Sequence, residues 1–288
     1  MKITNNNKLP SVLVKAIKNS QREYDNGGSN LSASSATIPP RQYWLKKRHD
    51  AEIEVDAQDL IWSFVGTSLH YTAEMAAKGE KNIIAEVRYF KEILGWKISA
   101  QIDNYDTKTE TLTDFKISSV YSMIGAPKPE YVVQLSIQAM LMKDHGYDVK
   151  KAQLCVIGRD WMAAKAGQND YPKHQVKLMP AKIMSYNETM SYLVERISIL
   201  QSHENTPDDE LPLCTAEERW EDSPTFAYYK DDKAKRATKL FDSALAADIH
   251  KNEQGCGFVV KRDAEPKRCK SYCDVWRWCS KGMEVRGE

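Results

Sequence analysis

Apolar and polar positions alternate with a period of two along residues 97–105 (KISAQIDNY), where Ile98, Ala100 and Ile102 interleave with Ser99, Gln101 and Asp103. That period predicts a half-buried strand. A polar turn (Asp106, Thr107, Lys108, Thr109) leads into a second run, 111–118, and the two are expected to pair as a β-hairpin. Further strands are expected near 83–90 and 152–158. Helical spacing of apolar residues predicts helices over 9–20, 57–77, 131–144 and 186–201; the second carries Leu60, Ile61, Phe64, Leu69 and Met75. Pro39 and Pro40 open a basic helix, PPRQYWLKKRHD, since proline suits a first turn. Residues 1–8 are polar and expected to be disordered, and 25–35 (DNGGSNLSASS) reads as a flexible segment. Helix, three strands, helix and strand specify an α/β core with mixed strand directions.

Beyond the polar loop SHENTPDDELP the chain is charged and short of aliphatics, so it cannot hold an independent core without a staple. The expected division is an N-terminal helix and flexible segment (1–34), a core (35–205) and a cysteine-bearing C-terminal region (206–288). Composition narrows the class. The 288 residues are 42% hydrophobic and 28% charged, as in ordinary globular chains, and the net charge of +1 excludes a global basic field. No apolar run approaches the ~18 residues of a membrane span, and the N-terminus lacks an apolar signal core. A cytoplasmic protein with no membrane partner is expected.

The candidate chemistry begins with Asp103 and, eleven positions on, Asp114-Phe115-Lys116. Side chains at i and i+2 of a strand share a face, so Asp114 and Lys116 project together. Two carboxylates and an ammonium are costly to bury unless a cation and a phosphate accompany them. Upstream, GTSLHYTAE sets His70 and Glu74 on one helix face, and Glu86 opens the alternating run EVRYF. Hard oxygen ligands with one imidazole suit Mg²⁺ or Mn²⁺. Such an ion activates water and stabilises charge on a phosphodiester, and Lys116 beside it can offset transition-state charge.

The order GxxxH, E, D, DxK and a following glutamine resembles the RecB-type branch of the PD-(D/E)XK nucleases, which includes the RecB and AddB nuclease domains and CRISPR-associated RecB-like exonucleases. The resemblance implies a restriction-endonuclease-like core, a mixed central β-sheet flanked by helices. It makes His70, Asp103 and Asp114 the metal ligands, Glu86 an auxiliary acid, Lys116 the catalytic lysine and Gln134 the helix glutamine. Gln138 stands where the family has tyrosine, and Ile102 where proline is usual before the first aspartate. The layout PPRQYWLKKRH, GTSLH, DFK and LPLCTAEERW also resembles phage-encoded members, which implies DNA recombination or replication in a host cytoplasm, with proteins of those processes as partners.

Cys269, Cys273 and Cys279 are spaced Cys-x3-Cys-x5-Cys, and thiols this close in a reducing compartment point to metal rather than disulfide. A fourth ligand is needed, and Cys214 and Cys256 are the candidates. The resemblance favours Cys214 and a [4Fe–4S] cluster; a four-thiolate Zn²⁺ site is the alternative. Cys155, in the apolar run AQLCVIG, reads as a small buried hydrophobe. Arg41, Lys46, Lys47 and Arg48, interleaved with Tyr43 and Trp44, are expected to meet DNA phosphates and bases. The function expected is a metal-dependent exonuclease acting on single-stranded DNA or DNA ends. The alternatives are a structure-specific endonuclease and a catalytically idle fold that binds DNA or a partner.

Overall fold

The computed structural model describes residues 1–22 and 26–287. In chain order its elements are β1 (Lys2–Thr4), α1 (Ser11–Arg22), β2 (Leu31–Ser32), α2 (Pro40–His49), β3 (Glu54–Asp56), α3 (Ile61–Ala77) and β4 (Ile83–Ile84). Then come β5 (Val87–Ile93), β6 (Trp96–Ile102), β7 (Asn104–Asp106), β8 (Thr111–Ser118), α4 (Pro129–Asp144), β9 (Lys151–Gly158), β10 (Val176–Ala181) and α5 (Tyr186–Ser202). The remainder forms β11 (Thr225–Tyr229), β12 (Lys239–Phe241), α6 (Ala244–Gln254), β13 (Phe258–Arg262), α7 (Lys267–Ser271) and α8 (Ser280–Arg286). Two compact units result: Met1–Ile38 with Glu54–Glu204, and Pro39–Ile53 with Asn205–Glu288. Among the described residues no helix is long and apolar enough to cross a membrane.

The first unit is the α/β body. Its central sheet has the order β10-β9-β8-β7-β4, with β8 and β9 parallel and the other pairs antiparallel. β2, β6 and β5 form a second, smaller sheet. Helices α3 and α4 pack on β8, and α4 also on β6. The core joins Ile102, Tyr105, Leu112, Leu154 and Val156 of the sheets to Leu135 and Met142 of α4. α1 closes on α3 through Val14, Ile17 and Phe64.

Three expectations are corrected here. The run 97–105 is not one strand: β6 pairs with β5 in the smaller sheet, while β7 pairs with β8. The break falls at Asp103, whose carboxylate Oδ2 accepts the Phe115 backbone N–H at 2.8 Å and so takes a donor that a continuous ladder would use. Residues 1–8 are not disordered as a whole, because β1 lies parallel to β3. There Asp56 gathers the Asn6 N–H (2.7 Å), Thr4 (3.1 Å) and Asn7 (3.1 Å). From residue 26 the segment expected to be flexible is packed, with Leu31 and Ala33 buried and Ser29 bonded to Ser99 at 2.8 Å; Asp25 lies outside the described residues.

The second unit has a small sheet, β12-β11-β13, with α6 against it. Buried Ala227, Tyr228, Ala247, Leu211 and Val275 give it some apolar content of its own. α2 belongs to this unit. Its His49 ring stacks on Trp278 (4.5 Å, 13°), and Lys46 pairs with Asp274 at 2.7 Å.

Candidate active site

α3, the β4–β5 kink, the β6–β7 break and β8 bring the ordered motif residues of the first unit into one cleft of about 350 Å³. His70 enters from α3. Glu86 sits at the kink with a left-handed backbone, φ +55°, its N–H donating to the Ile102 carbonyl at 2.7 Å. That conformation costs a non-glycine residue roughly 1–2 kcal/mol, and it ends β4 and aims the carboxylate at His70. His70 Nδ1 lies 3.0 Å from Glu86 Oε1 and 3.6 Å from Asp103 Oδ1. Ligand atoms of these three residues all fall within 4.8 Å of one another.

Asp114, 1% exposed on β8, is held from three sides. Lys116 Nζ is 2.6 Å from its Oδ2, Gln134 Nε2 donates to its Oδ1 at 2.6 Å, and Gln138 reaches the same oxygen at 3.4 Å. Oδ2 has its ion pair with Lys116 but no aligned hydrogen-bond donor, the condition of a buried oxygen suited to a cation. The structure thus brings His70, Asp103, Asp114, Lys116, Glu86 and Gln134 together. It groups Glu86, rather than Asp114, most tightly with His70 and Asp103. Glu74 instead faces Lys78 (3.9 Å).

Burial and then the neighbouring Asp114 charge push the Asp103 carboxyl up to about 7. The hydrogen bond to Glu86 raises His70 against the opposing effect of burial. Burial presses the Lys116 ammonium down, but the Asp114 and Asp103 charges outweigh it and hold it above the usual lysine range. Carboxylates are therefore concentrated here against Lys116 and one imidazole, and a divalent cation fits the donor set of carboxylate oxygens and imidazole nitrogen.

Two contributors were not legible in the motifs. Gln101 donates to Glu86 Oε2, and Arg88 in turn donates to Gln101 Oε1, so a chain of side chains runs from Arg88 to His70. Both face the cleft because β5 and β6 pair in register, Arg88 opposite Gln101. Gln138, which stands at the family's tyrosine position, is 1% exposed and also donates to the Gln101 carbonyl at 2.9 Å. A partner in the adjacent sheet supplies its role, and no spacing in sequence announces that.

In the second unit Cys269 and Cys279 are buried and Cys214 and Cys273 half-buried. Burial first, then Glu218 and the three other thiols, pushes Cys214 up to about 12; burial likewise takes Cys273 to about 11. Cys214 is thus close enough to Cys269, Cys273 and Cys279 to feel their charges, whereas the exposed Cys256 lies against the Tyr228 hydroxyl at 3.8 Å. Arg286 donates to the Cys269 carbonyl (3.0 Å) and Arg219 to that of Cys214, while Arg268 ties the two cysteine segments by donating to the Arg219 (3.0 Å) and Glu218 (3.1 Å) carbonyls. Gly282 is required here, because a Cβ would stand 2.6 Å from the Trp276 carbonyl oxygen. Cys155, expected to be buried, is half-buried on β9.

The basic helix departs from expectation. Arg41 is 2% exposed and donates to the Leu211 carbonyl, which takes it out of reach of a phosphate. Arg48 bonds Asp208 (2.6 Å) and the Thr206 carbonyl (2.7 Å). Tyr43 meets Trp44 edge-on at 5.1 Å, and exposed Lys47 lies 4.7 Å over the Trp44 ring. Packing of the second unit accounts for most of this helix's charge.

No protein-family model matches the chain, and no curated protein sequence does. Among solved structures the chain is similar to SSO0001, at 17% identity over 69% of this chain and 89% of that one, with a TM-score of 0.48. It is also similar to LHK-Exo in complex with dAMP (14%, 64% and 94%, TM-score 0.34). A phage-related exonuclease from Haemophilus somnus overlaps at 13% identity over 68% of this chain and 82% of that one, TM-score 0.29.

Proposed function

We propose that the first unit is a divalent-metal-dependent nuclease that hydrolyses DNA phosphodiester bonds, working from ends as an exonuclease. The observation that carries this reading is the meeting of His70, Glu86, Asp103 and Lys116 in one cleft, with buried Asp114 paired to Lys116. Mg²⁺ or Mn²⁺ held by His70, Asp103 and Asp114, with Glu86 beside them, would supply Lewis-acid activation of water and of the scissile phosphate. Lys116 offsets the negative charge that develops on the phosphoryl oxygens. Gln134 and Gln138 fix the rotamer of Asp114, and Gln101 that of Glu86. A role in phage-type recombination or replication belongs to this reading through the sequence resemblance alone.

Cys214, Cys269, Cys273 and Cys279 are proposed to hold a [4Fe–4S] cluster that staples the second unit. The sequence resemblance favours this cluster over a four-thiolate Zn²⁺ site. The test of the nuclease reading is digestion of end-labelled linear and closed circular single-stranded DNA with Mn²⁺ and with EDTA. Metal-dependent loss of the linear DNA alone is expected; cutting of the circle assigns the same centre to an endonuclease, and no cutting of either sinks the reading.

A further inference from the structure

The rim beyond Lys116 is built from exposed aromatic and cationic side chains that the catalytic reading does not use. Arg159 directly follows β9; its N–H donates to the Ser118 carbonyl at 2.9 Å, two residues past Lys116 on β8, or about 7 Å along the strand. Its guanidinium lies 5.0 Å over the ring of Trp62 in the first turn of α3, about 12 Å along that helix from His70. Trp62 is nevertheless 49% exposed, and Tyr121, in the short turn after β8, is 78% exposed. The rim is rigid. Asp160 accepts the Val120 N–H at 2.6 Å and the Ser119 hydroxyl at 3.1 Å, pinning the Tyr121 turn to the end of β9. Lys116 and Lys128 lie 5.4 and 5.9 Å from the Tyr131 ring.

Large exposed rings held on a fixed frame, with cations between them, match unpaired bases and their phosphates. In a duplex the base faces are already stacked on one another. We propose that Trp62, Arg159 and Tyr121 form a stacking station for the bases of single-stranded DNA one or two nucleotides from the cleaved phosphate. This rests on the nuclease reading of the cleft, and it makes that substrate an unpaired strand.

The test is fluorescence anisotropy of a short oligothymidylate and of an abasic oligomer of equal length, in EDTA so that no cleavage intervenes. Trp62→Ala should weaken oligothymidylate binding about 5- to 150-fold, the range for loss of one base–aromatic stack. Trp62→Phe should recover most of it and rules out misfolding as the cause. The abasic oligomer should bind wild type and Trp62→Ala alike. Equal oligothymidylate binding by Trp62→Ala and wild type, or an equal loss on the abasic oligomer, overturns the stacking station. Hydrolysis of bis(p-nitrophenyl) phosphate by the wild type with Mn²⁺ judges the nuclease reading separately, because that small ester has no base to stack.

Discussion

Glu86 and Asp103 show how single residues set this site. Each sits where a strand breaks, one through a left-handed backbone and the other through a side chain that captures the Phe115 N–H. Lys116→Ala should lower metal-dependent DNA cleavage about 10²- to 10³-fold, the usual cost of one preorganised charge donor. Gln101→Ala leaves Glu86 without its amide partner, so Mn²⁺ affinity by calorimetry should fall about 10- to 100-fold. The titrations fix a pH dependence. Between pH 3.8 and about 7 the folded protein keeps the Asp103 proton that the unfolded chain has lost, so stability falls as pH rises through that window. His70, raised above 6.5, acts in the same direction: its contribution is full below 6.5 and is lost as pH climbs through its folded value. Thermal unfolding without metal should therefore show a lower Tm near pH 8 than near pH 5.5. Mn²⁺, which competes with these protons, should raise Tm more at the higher pH; the opposite order would contradict the assignment.

Elements with one strong period were legible in the sequence. Helices α4 and α5 and strands β8 and β9 fall within a few residues of their expected bounds, and Asp114 and Lys116 meet as their spacing requires. The hairpin's turn and its short β7–β8 ladder were legible, but the pairing of residues 97–102 with β5 was not, because the alternation continues unbroken through Asp103 while the partner changes there. Periodicity reports which face a residue takes, not which strand lies beside it. The order in segments 1–8 and 26–35 was hidden for a related reason: it depends on hydroxyls and amides finding distant partners such as Asp56 and Ser99. At the N-terminus of α5, Ser185 and Glu188 form a reciprocal cap. Ser185→Ala should cost about 1 kcal/mol in denaturant unfolding. For the cysteine segments, Cys214→Ser, Cys269→Ser, Cys273→Ser and Cys279→Ser should each remove bound iron from anaerobically purified protein, measured by elemental analysis, while Cys256→Ser and Cys155→Ser keep it. Retention by Cys214→Ser with loss in Cys256→Ser would make Cys256 the fourth ligand.

At the scale of the molecule, chemistry divides between two compact units, each with its own proposed metal. The first carries an acid-rich cleft completed by Lys116; the second carries four cysteines proposed to bind a metal, with arginines on the Cys214 and Cys269 carbonyls. The resemblance in sequence pointed to both. In the basic helix α2 the expectation fails at Arg41, because a run of arginine and lysine reads the same whether a side chain faces solvent or, like Arg41, is buried against a carbonyl. The central claim is that Asp114 and Lys116 work with a divalent cation on DNA. Its most direct test compares wild type, Asp114→Asn and Lys116→Ala on end-labelled single-stranded DNA across a Mn²⁺ titration. Wild type should cleave only with Mn²⁺ present, and both variants, folded by circular dichroism, should be inactive or reduced at least about 100-fold at saturating metal. Cleavage by either variant at the wild-type rate, or full wild-type cleavage in EDTA, would contradict it.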